Sequence, residues 1–278
     1  MYTVIGIGGI GVDVAKNFNN FPQYNLICVD DEKHNVADQH TITKQKKPEL
    51  YEEAFKTLKP ALKKKVKDKV ICVLSGASAV SSISLKLLYG LRDKEISILY
   101  IKPEVDLLSD QKRMQDKVVF SILQEYTRSG LFQDMFLISS ESMDALVEDA
   151  SISDYYTSMN EMIVNAFHMI KVFDNQKPAA SNLSEVLESR RIYSLGLLEQ
   201  KSGDEKLFFP IDTPLDKRLY FGITEENINN DKNLQRNIIK LIKDKNEEFC
   251  KYSYGVYKTQ YDSDFCYMKI YTSKVQDF

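Results

Sequence analysis

The sequence contains no tryptophan, and only three histidines and four cysteines are present in 278 residues. The cysteines have no CxxC spacing, and Cys28 and Cys72 lie inside apolar runs, so we expect buried, reduced thiols rather than disulfides or zinc ligands. The histidines (His34, His40 and His168) form no ligand pattern, and no nucleophile motif such as GxSxG accompanies them. These absences argue against a metal site built by the protein and against a serine-hydrolase mechanism.

A large excess of charge and long apolar runs are missing as well. The formal net charge is -3, which argues against a nucleic-acid-binding protein because no face needs to be strongly basic. No apolar run approaches the roughly 20 residues that a membrane-spanning helix needs, and the N-terminus has no signal-peptide pattern. The sequence therefore predicts a cytoplasmic protein with neither a direct nucleic-acid partner nor a membrane insertion.

Apolar strands and amphipathic helices alternate through the first half of the chain. We predict strands over residues 2–7, 24–30, 70–74, 96–101 and 135–138, and helices over 8–19, 48–65, 81–91 and 111–129. Continuously apolar strands separated by helices are typical of a parallel sheet that is covered on both faces. The predicted fold class is therefore α/β, with a Rossmann-like parallel-sheet nucleotide-binding domain over residues 1–153.

The second half of the chain follows a different pattern. Residues 154–173 are predicted to form one long central helix, because apolar residues recur on a single face at helical spacing. That face carries Met159, Met162, Ile163, Ala166, Phe167, Ile170 and Phe173. Beyond it we predict strands over 191–200, 219–224, 252–257 and 265–271, a helix over 231–249 and a loop over 201–217. This order indicates a smaller α+β C-terminal domain, residues 174–278, with one covered sheet face.

The strongest local signal is the glycine-rich turn after the first strand, which contains Gly6, Gly8, Gly9 and Gly11. Glycines let a backbone approach an anion closely, and the helix that follows offers unpaired amides and a partial positive charge. The turn therefore indicates a site for the phosphates of a nucleotide.

The glycine turn alone does not identify the nucleotide. It fits dinucleotide-binding domains, adenylating enzymes of the ubiquitin-activator type, and the tubulin/FtsZ family. Asp30 and Asp31 end the second strand, where a Rossmann fold has a ribose-binding acid, but the same residues would also suit a surface position.

Three short segments further along resemble the tubulin/FtsZ family. Residues 75–81, after the third predicted strand, resemble its signature loop, GGGTGTG, in position and in small-residue content. The Lys-Pro pair at 102–103 is similar to the pair that precedes a sugar-and-phosphate loop in the family, for which Arg113 or Lys112 is the candidate contact. Residues 178–184 are similar to the synergy loop of the family.

The start of the central helix provides a fourth match. In the family, an aromatic residue there stacks on guanine and an Asn or Asp four residues later hydrogen-bonds the base; Tyr156 and Asn160 match these two positions. The resemblance implies a protein that binds GTP or GDP, with or without Mg²⁺, and assembles head to tail with further copies of itself into a longitudinal filament. It implies a nucleotide-binding set of Gly8, Gly9, Gly11, Asp13, Asp30, Gly76, Ala77, Ser78, Ala79, Arg113, Tyr156 and Asn160.

Two departures from the family concern phosphate binding and hydrolysis. Ala77, Ala79 and Ser81 replace glycines of the signature loop, so we expect weaker phosphate binding, because residues with a side chain disfavour positive φ. In the synergy loop, the family has two acids that position the attacking water, and Ser184 and Leu187 occupy their positions here. A leucine side chain cannot orient water.

Glu185 and Glu188 lie one residue beyond the two acid positions and would replace the acids only if the loop shifted its register. No catalytic residue is therefore assigned. We predict slow or absent GTP hydrolysis, so the protein would be at most a weak GTPase.

Two other interpretations stay open. The glycine turn followed by Val29-Asp30-Asp31 also resembles ubiquitin-activator-like ATP-dependent adenylating enzymes, in which an acid pair holds the ATP ribose and magnesium. Such enzymes also need an arginine pair, a lysine and usually a catalytic cysteine, and the sequence offers no convincing set after the acids. The other interpretation is a nucleotide-free scaffold with the same tubulin-like fold. Nothing in the sequence selects a cargo or a biological process.

Overall fold

The computed structural model of the protein describes residues 1–147, 150–245 and 249–277. The chain divides into two compact units, an N-terminal unit formed mainly by Met1–Val164 and a C-terminal unit formed by Asn165–Gln276. The division falls inside a long helix, α6 (Tyr155–Phe173), so each unit contains one half of the predicted central helix. The three-part division at residues 153 and 173 stays a prediction.

The N-terminal unit contains a six-stranded sheet. Its strands are β1 (Tyr2–Ile7), β2 (Tyr24–Asp30), β3 (Gln39–Thr41), β4 (Lys69–Leu74), β5 (Glu95–Lys102) and β6 (Asp134–Ser139), and its helices are α1 (Gly8–Lys16), α2 (Tyr51–Lys65), α3 (Ser84–Gly90), α4 (Asp110–Arg128) and α5 (Ser140–Asp144). All strand pairs are parallel, and β1, β4, β5 and β6 are buried almost end to end. The predicted parallel sheet with two covered faces is therefore confirmed.

The strand order in this sheet is β3-β2-β1-β4-β5-β6. The chain first adds strands on one side of β1 and then, from β4 onward, on the other side. Neighbouring connections leave in opposite directions at this reversal between β1 and β4, and open α/β sheets commonly bind ligands at such a switch point. The fold thus places the glycine turn, which follows β1, beside residues 75–79, which follow β4.

The segment between β2 and α2 contains an element that the sequence did not predict. β3 extends the sheet by pairing in parallel with Cys28–Asp30 at the end of β2. A three-residue strand is too short to show a hydrophobic period, and it forms here because the polar side chains of the preceding turn bond one another. His34 donates its backbone N–H to Gln39 at 2.8 Å, and its ring bonds the Asp30 carboxylate.

The predicted apolar face of α6 is confirmed. Six of the seven residues named for it are buried, and Met162 is half-buried. Within the described part of the chain, no helix combines the length and the apolar character needed to cross a bilayer.

The C-terminal unit contains a second sheet. Its strands are β7 (Ala180–Ser181), β8 (Ile192–Leu198), β9 (Glu205–Leu207), β10 (Asp216–Thr224), β11 (Lys251–Thr259) and β12 (Phe265–Thr272), and its helices are α7 (Glu225–Asn230) and α8 (Leu234–Lys243). The order is β8-β12-β10-β11-β7, with β9 paired to β8, and only β10 and β11 are parallel. The predicted helix over 231–249 corresponds to α8, and its residues 246–248 lie outside the described ranges.

The expectation of one covered sheet face is wrong for the centre of this sheet. β10 is buried from Asp216 to Ile223, which requires cover on both faces. One face meets the end of α6, where the Phe173 ring stacks on Tyr257 with centroids 4.3 Å apart. On the opposite face of the sheet, Phe221 of β10 and Ile238 of α8 line the same cavity, so α8 lies over this face. The sequence pattern did not show that α6 would cover this sheet.

The predicted loop over 201–217 is also wrong in part, because it contains β9 and the start of β10. β9 is held by the carboxylate of Glu205, which lies 2.7 Å from the Lys217 ammonium and 2.9 Å from that of Lys245. The hydroxyl of Tyr252 donates to the same carboxylate at 3.1 Å. Burial alone would raise the pKa of Glu205, but the two lysines bring it below the usual value. This ionic cluster ties β9 to β10 and β11.

We expect Glu205→Ala to destabilise the C-terminal unit by about 3 kcal/mol, because it leaves the buried Lys217 ammonium without this carboxylate. The matched control is Lys206→Ala, which truncates the exposed neighbouring residue and should change stability by less than about 0.5 kcal/mol. Urea unfolding followed by circular dichroism measures both variants. Equal losses in the two variants would contradict a stabilising role for the cluster.

Candidate functional site

The glycine turn packs so closely that two of its glycines leave no space for a side chain. A Cβ atom on Gly11 would lie 2.5 Å from the carbonyl oxygen of Val73 in β4, and one on Gly6 would lie 2.9 Å from the Cβ of Ala15 in α1. These two glycines therefore let α1 approach β1 and β4. Their role is in packing, whatever the ligand.

Gly8 and Gly9 have different surroundings. Gly8 has a φ of 69°, and a Cβ on it would collide with the side chain of Ser78 in the loop after β4. Gly9 lies in the first turn of α1, and a Cβ there would have no atom within 4 Å. No acidic residue lies in this first turn, so no carboxylate there offsets the positive end of the helix dipole beside Gly9. The open space around a Cβ at position 9 leaves room for a ligand.

Asp13, which was predicted to bind the nucleotide, lies one turn further along α1. Its carboxylate pairs with Lys16 at 2.8 Å, and both side chains are about half-exposed. The structure thus shows Asp13 in a surface ion pair.

Residues 75–79, which we call the β4 loop, adopt a shape that needs no glycine at its alanine positions. None of these residues has a positive φ, and Ala77 is buried without strain. The loop leads into a short 3₁₀ helix, Ala79–Ile83, and the hydroxyl of Ser81 donates back to the Ser75 carbonyl. The replacements of glycine noted in the sequence therefore do not distort this backbone.

Side chains from two other elements hold the β4 loop. Gln115 of α4 donates its side-chain amide to the carbonyl oxygens of Gly76, at 2.9 Å, and of Ser78. The backbone N–H of Gly76 donates to the hydroxyl of Tyr100 in β5 at 3.2 Å, and that hydroxyl donates to the Asp116 carboxylate at 2.5 Å. We call Tyr100, Gln115 and Asp116 the loop clamp.

Asp116 is fully buried beneath the β4 loop. Burial raises the pKa of its carboxyl group to about 6, although the Tyr100 hydroxyl and the Lys102 ammonium both act to lower it. Its second oxygen, Oδ2, has no hydrogen-bond partner among the described residues. Burial also lowers the pKa of Lys102, against the opposing effect of the charges of Asp116 and Glu141. The carboxyl group therefore changes charge near neutral pH.

Sequence reasoning missed the loop clamp, because its members lie 24 to 40 residues beyond the loop they hold. One signal was present. Asp116 occupies the same face of α4 as Val119, Phe120 and Leu123, which are buried, and a charged residue on an apolar helix face commonly has a specific partner.

Asp30, the predicted ribose-binding acid, is buried at the end of β2. Its carboxylate accepts the backbone N–H of Asp31 at 2.8 Å and bonds the His34 ring. Burial raises its pKa, against the opposing effect of His34. Asp31 in turn accepts the hydroxyl of Tyr51. Both acids are therefore engaged in holding the segment between β2 and α2.

The predicted base-binding residues lie at the start of α6. Tyr156 is 73% exposed, and its ring meets the neighbouring Tyr155 edge-on with centroids 5.0 Å apart. Asn160, one helical turn later, is half-buried. Arg113, in the first turn of α4, is exposed and donates to the Val105 carbonyl at 3.4 Å, in the loop that follows β5. These three residues stay a prediction as nucleotide contacts.

In the C-terminal unit, the segment from Ser181 to Arg190 is anchored at its start and exposed in its middle. Asn182 exchanges two hydrogen bonds with the backbone of Tyr254, at 2.6 and 3.0 Å. The Ser184 carbonyl accepts from Arg218, and its hydroxyl accepts from Lys251 at 3.1 Å. The exposed part contains Glu185, Val186, Leu187 and Glu188.

By sequence, the chain matches no protein-family model and no curated protein. By structure it is similar to TubZ of Bacillus thuringiensis serovar israelensis, in a GTPγS-form protofilament, with a TM-score of 0.73, 15% identity and coverage of 97% of this chain and 86% of that one. GDP-form protofilaments of the same TubZ give a TM-score of 0.70 and 16% identity, with the same coverage. An empty dimer of M. jannaschii FtsZ gives 0.68 and 13%, covering 98% of this chain and 88% of that one.

The chain has a tubulin/FtsZ-like fold. The similarity extends over nearly the whole chain, so it includes the C-terminal unit as well as the Rossmann-like sheet. The fold resemblance inferred from scattered segments of the sequence is thereby confirmed. The predicted synergy loop, residues 178–184, overlaps the start of the segment from Ser181 to Arg190. Ser184 and Leu187, at the two predicted acid positions, are respectively bonded within the C-terminal unit and 61% exposed.

The raised pKa of Asp116 predicts a pH effect on stability. The folded protein binds a proton at this carboxyl below about pH 6, whereas the unfolded chain binds it only below about pH 4. The Asp116 carboxyl group therefore stabilises the folded protein at low pH, and this contribution is lost as the pH rises through about 6. Between pH 7.5 and pH 5 the wild type should gain about 1 kcal/mol relative to Asp116→Asn.

Urea midpoints of both proteins at several pH values measure this difference. The other titratable groups are common to the two proteins, so their contributions cancel in the comparison. The same pH dependence in the two proteins would contradict the raised pKa.

Proposed function

We propose that the protein binds a guanine nucleotide, GTP or GDP, at the carboxyl edge of the parallel sheet and assembles head to tail into filaments, with slow or absent hydrolysis. The observation that carries the proposal is the open space at Gly9. It lies at the positive end of α1, where the strand order reverses, and the neighbouring Gly8 is next to Ser78 of the β4 loop. A helix N-terminus with no acid in its first turn is suited to phosphate.

The choice of guanine rests on the start of α6. Tyr156 presents an exposed ring to which a base can stack, and the amide of Asn160 has both a donor and an acceptor for a base edge. The GTPγS-form and GDP-form TubZ structures support the same class of ligand. Mg²⁺ would be held mainly by phosphate oxygens and water, since no three metal-ligating side chains group together in the described ranges.

Titration with fluorescent GTP, GDP and ATP analogues tests the ligand. The wild type should bind the guanine nucleotides in preference to ATP. Gly9→Ala should weaken GTP binding at least about tenfold, since its methyl group enters the space proposed for phosphate, while stability is kept because alanine favours a helix by up to about 1 kcal/mol.

The same titration separates the other two interpretations. ATP-selective binding would favour an adenylating enzyme, and binding of no nucleotide would favour a scaffold. Either result would overturn the proposal, as would unchanged GTP affinity in Gly9→Ala. Thermal unfolding of Gly9→Ala serves as the control for folding.

Self-assembly is supported by exposed apolar side chains on each unit. On the N-terminal unit, Ile10, Leu107, Ile152 and Tyr156 are exposed in segments that follow the carboxyl ends of β1, β5 and β6. On the C-terminal unit, Val186 and Leu187 are exposed just beyond the predicted synergy loop, residues 178–184. These side chains are available for two different contact surfaces, and two different surfaces joined between copies make an open, head-to-tail filament when the rotation between copies does not close a ring. TubZ protofilaments are a structural precedent.

Slow hydrolysis is supported by the side chains of the same loop. The Ser184 hydroxyl accepts from Lys251 and cannot act as a base, and Leu187 has no polar atom to orient water. Glu185 and Glu188 are exposed, but neither occupies a position of the two family acids.

Leu187→Asp should reduce filament formation severalfold, because it places a charge where an apolar side chain is proposed to meet the next copy. Pelleting and electron microscopy in the presence of GTP measure the amount of polymer. In a separate measurement, phosphate release at high protein concentration should be slow in the wild type. Tyr89→Asp is the control, since it likewise replaces an exposed apolar side chain, in α3, with an aspartate. Equal amounts of polymer from the wild type and Leu187→Asp would contradict the assembly proposal. Rapid phosphate release by the wild type would contradict the proposal of slow hydrolysis.

A further inference from the structure

We infer that Gln115 is a positioning residue for nucleotide phosphates, and that with Tyr100 and Asp116 it gives the β4 loop the shape that glycines would otherwise provide. This inference rests on the proposed function, because it assigns a role in binding the same nucleotide. It reverses one expectation from the sequence, namely that the alanines of the loop weaken phosphate binding.

The first step concerns the orientation of two peptide groups in the β4 loop. Gln115 uses both protons of its amide nitrogen, one for the Gly76 carbonyl and one for the Ser78 carbonyl. In a trans peptide the N–H of the next residue points opposite to the carbonyl. The N–H groups of Ala77 and Ala79 are therefore turned away from α4 together, and neither finds an acceptor in the described parts of the chain.

The second step is the position of the loop between α4 and the glycine turn. On one side the loop meets Gln115, and on the other the Ser78 side chain packs against Gly8. Amides that point away from α4 are thus directed to the side of the loop where Gly9 borders open space. Successive amides directed to one place form an anion-binding concavity.

The third step is that the clamp makes glycine unnecessary at two positions. Tyr100 and Asp116 fix the loop at Gly76, where a Cβ would lie 2.6 Å from the Asp116 carboxylate. With the loop held at Gly76 and Ser78, the residues at 77 and 79 keep negative φ, which alanine adopts readily. The loop needs a donor with two protons at 115, and glutamine supplies it.

The test replaces this donor with an acceptor of the same shape. Gln115→Glu faces two carbonyl oxygens with a carboxylate, so the β4 loop should turn and the Kd for GTP should rise roughly tenfold. Gln111→Glu is the matched control, because it makes the same change one turn earlier on α4 at an exposed residue, and it should leave the Kd within about twofold. Gln115→Met, which removes the donor without adding charge, should weaken GTP binding in the same direction and replaces Gln115→Glu if that variant does not fold.

Guanosine separates positioning from a purely structural role. It has no phosphate, so its Kd should be equal in wild type and Gln115→Glu while the Kd for GTP differs. The inference would be overturned if Gln115→Glu weakened guanosine and GTP binding equally. It would also be overturned if Gln115→Glu and Gln115→Met bound GTP as the wild type does. In either case the proposed function would stand, provided that the wild type binds GTP. A wild type that binds no nucleotide would overturn both.

Discussion

The close approach of α1 to the ends of β1 and β4 is the constraint on which the rest of the N-terminal unit depends. Gly6 and Gly11 make this approach possible, since a methyl group on either would lie within 2.9 Å of its neighbours. With α1 in this place, its first turn lies at the reversal of the strand order, where Gly9 borders open space. If α1 packed further from β1 and β4, the positive end of its dipole would lie further from the β4 loop.

The β4 loop is held in shape by side chains rather than by glycines. A glycine-rich loop owes its shape to backbone freedom, whereas here two side chains of α4 and one of β5 impose the shape from outside. The consequence is that the loop is ordered by tertiary contacts, and that Asp116 is buried with a raised pKa. The alanines of this loop therefore leave its backbone without strained φ values.

Much of the fold could be predicted from the sequence, because long buried strands and amphipathic helices each have a regular spacing of apolar residues that is visible in one sequence. β1 and β2 were predicted at the bounds that the structure shows, and β4, β5 and α4 within one or two residues. β3, β7 and β9 were missed, since strands of two or three residues have no period and depend on partners elsewhere. The cover on both faces of β10 was missed because it is contributed by α6 and α8.

The sequence by itself determined the alternation of elements, the glycine turn and the likeness to a tubulin/FtsZ-like fold, because these depend on local spacing and residue type. Only the tertiary structure decided what each glycine does, since Gly11 meets β4 and Gly9 meets open space although both belong to one motif. It also decided that Asp30 is engaged by His34 and that Gln115 holds the β4 loop. Contacts between residues far apart in the chain depend on how the elements pack, and no local pattern encodes them.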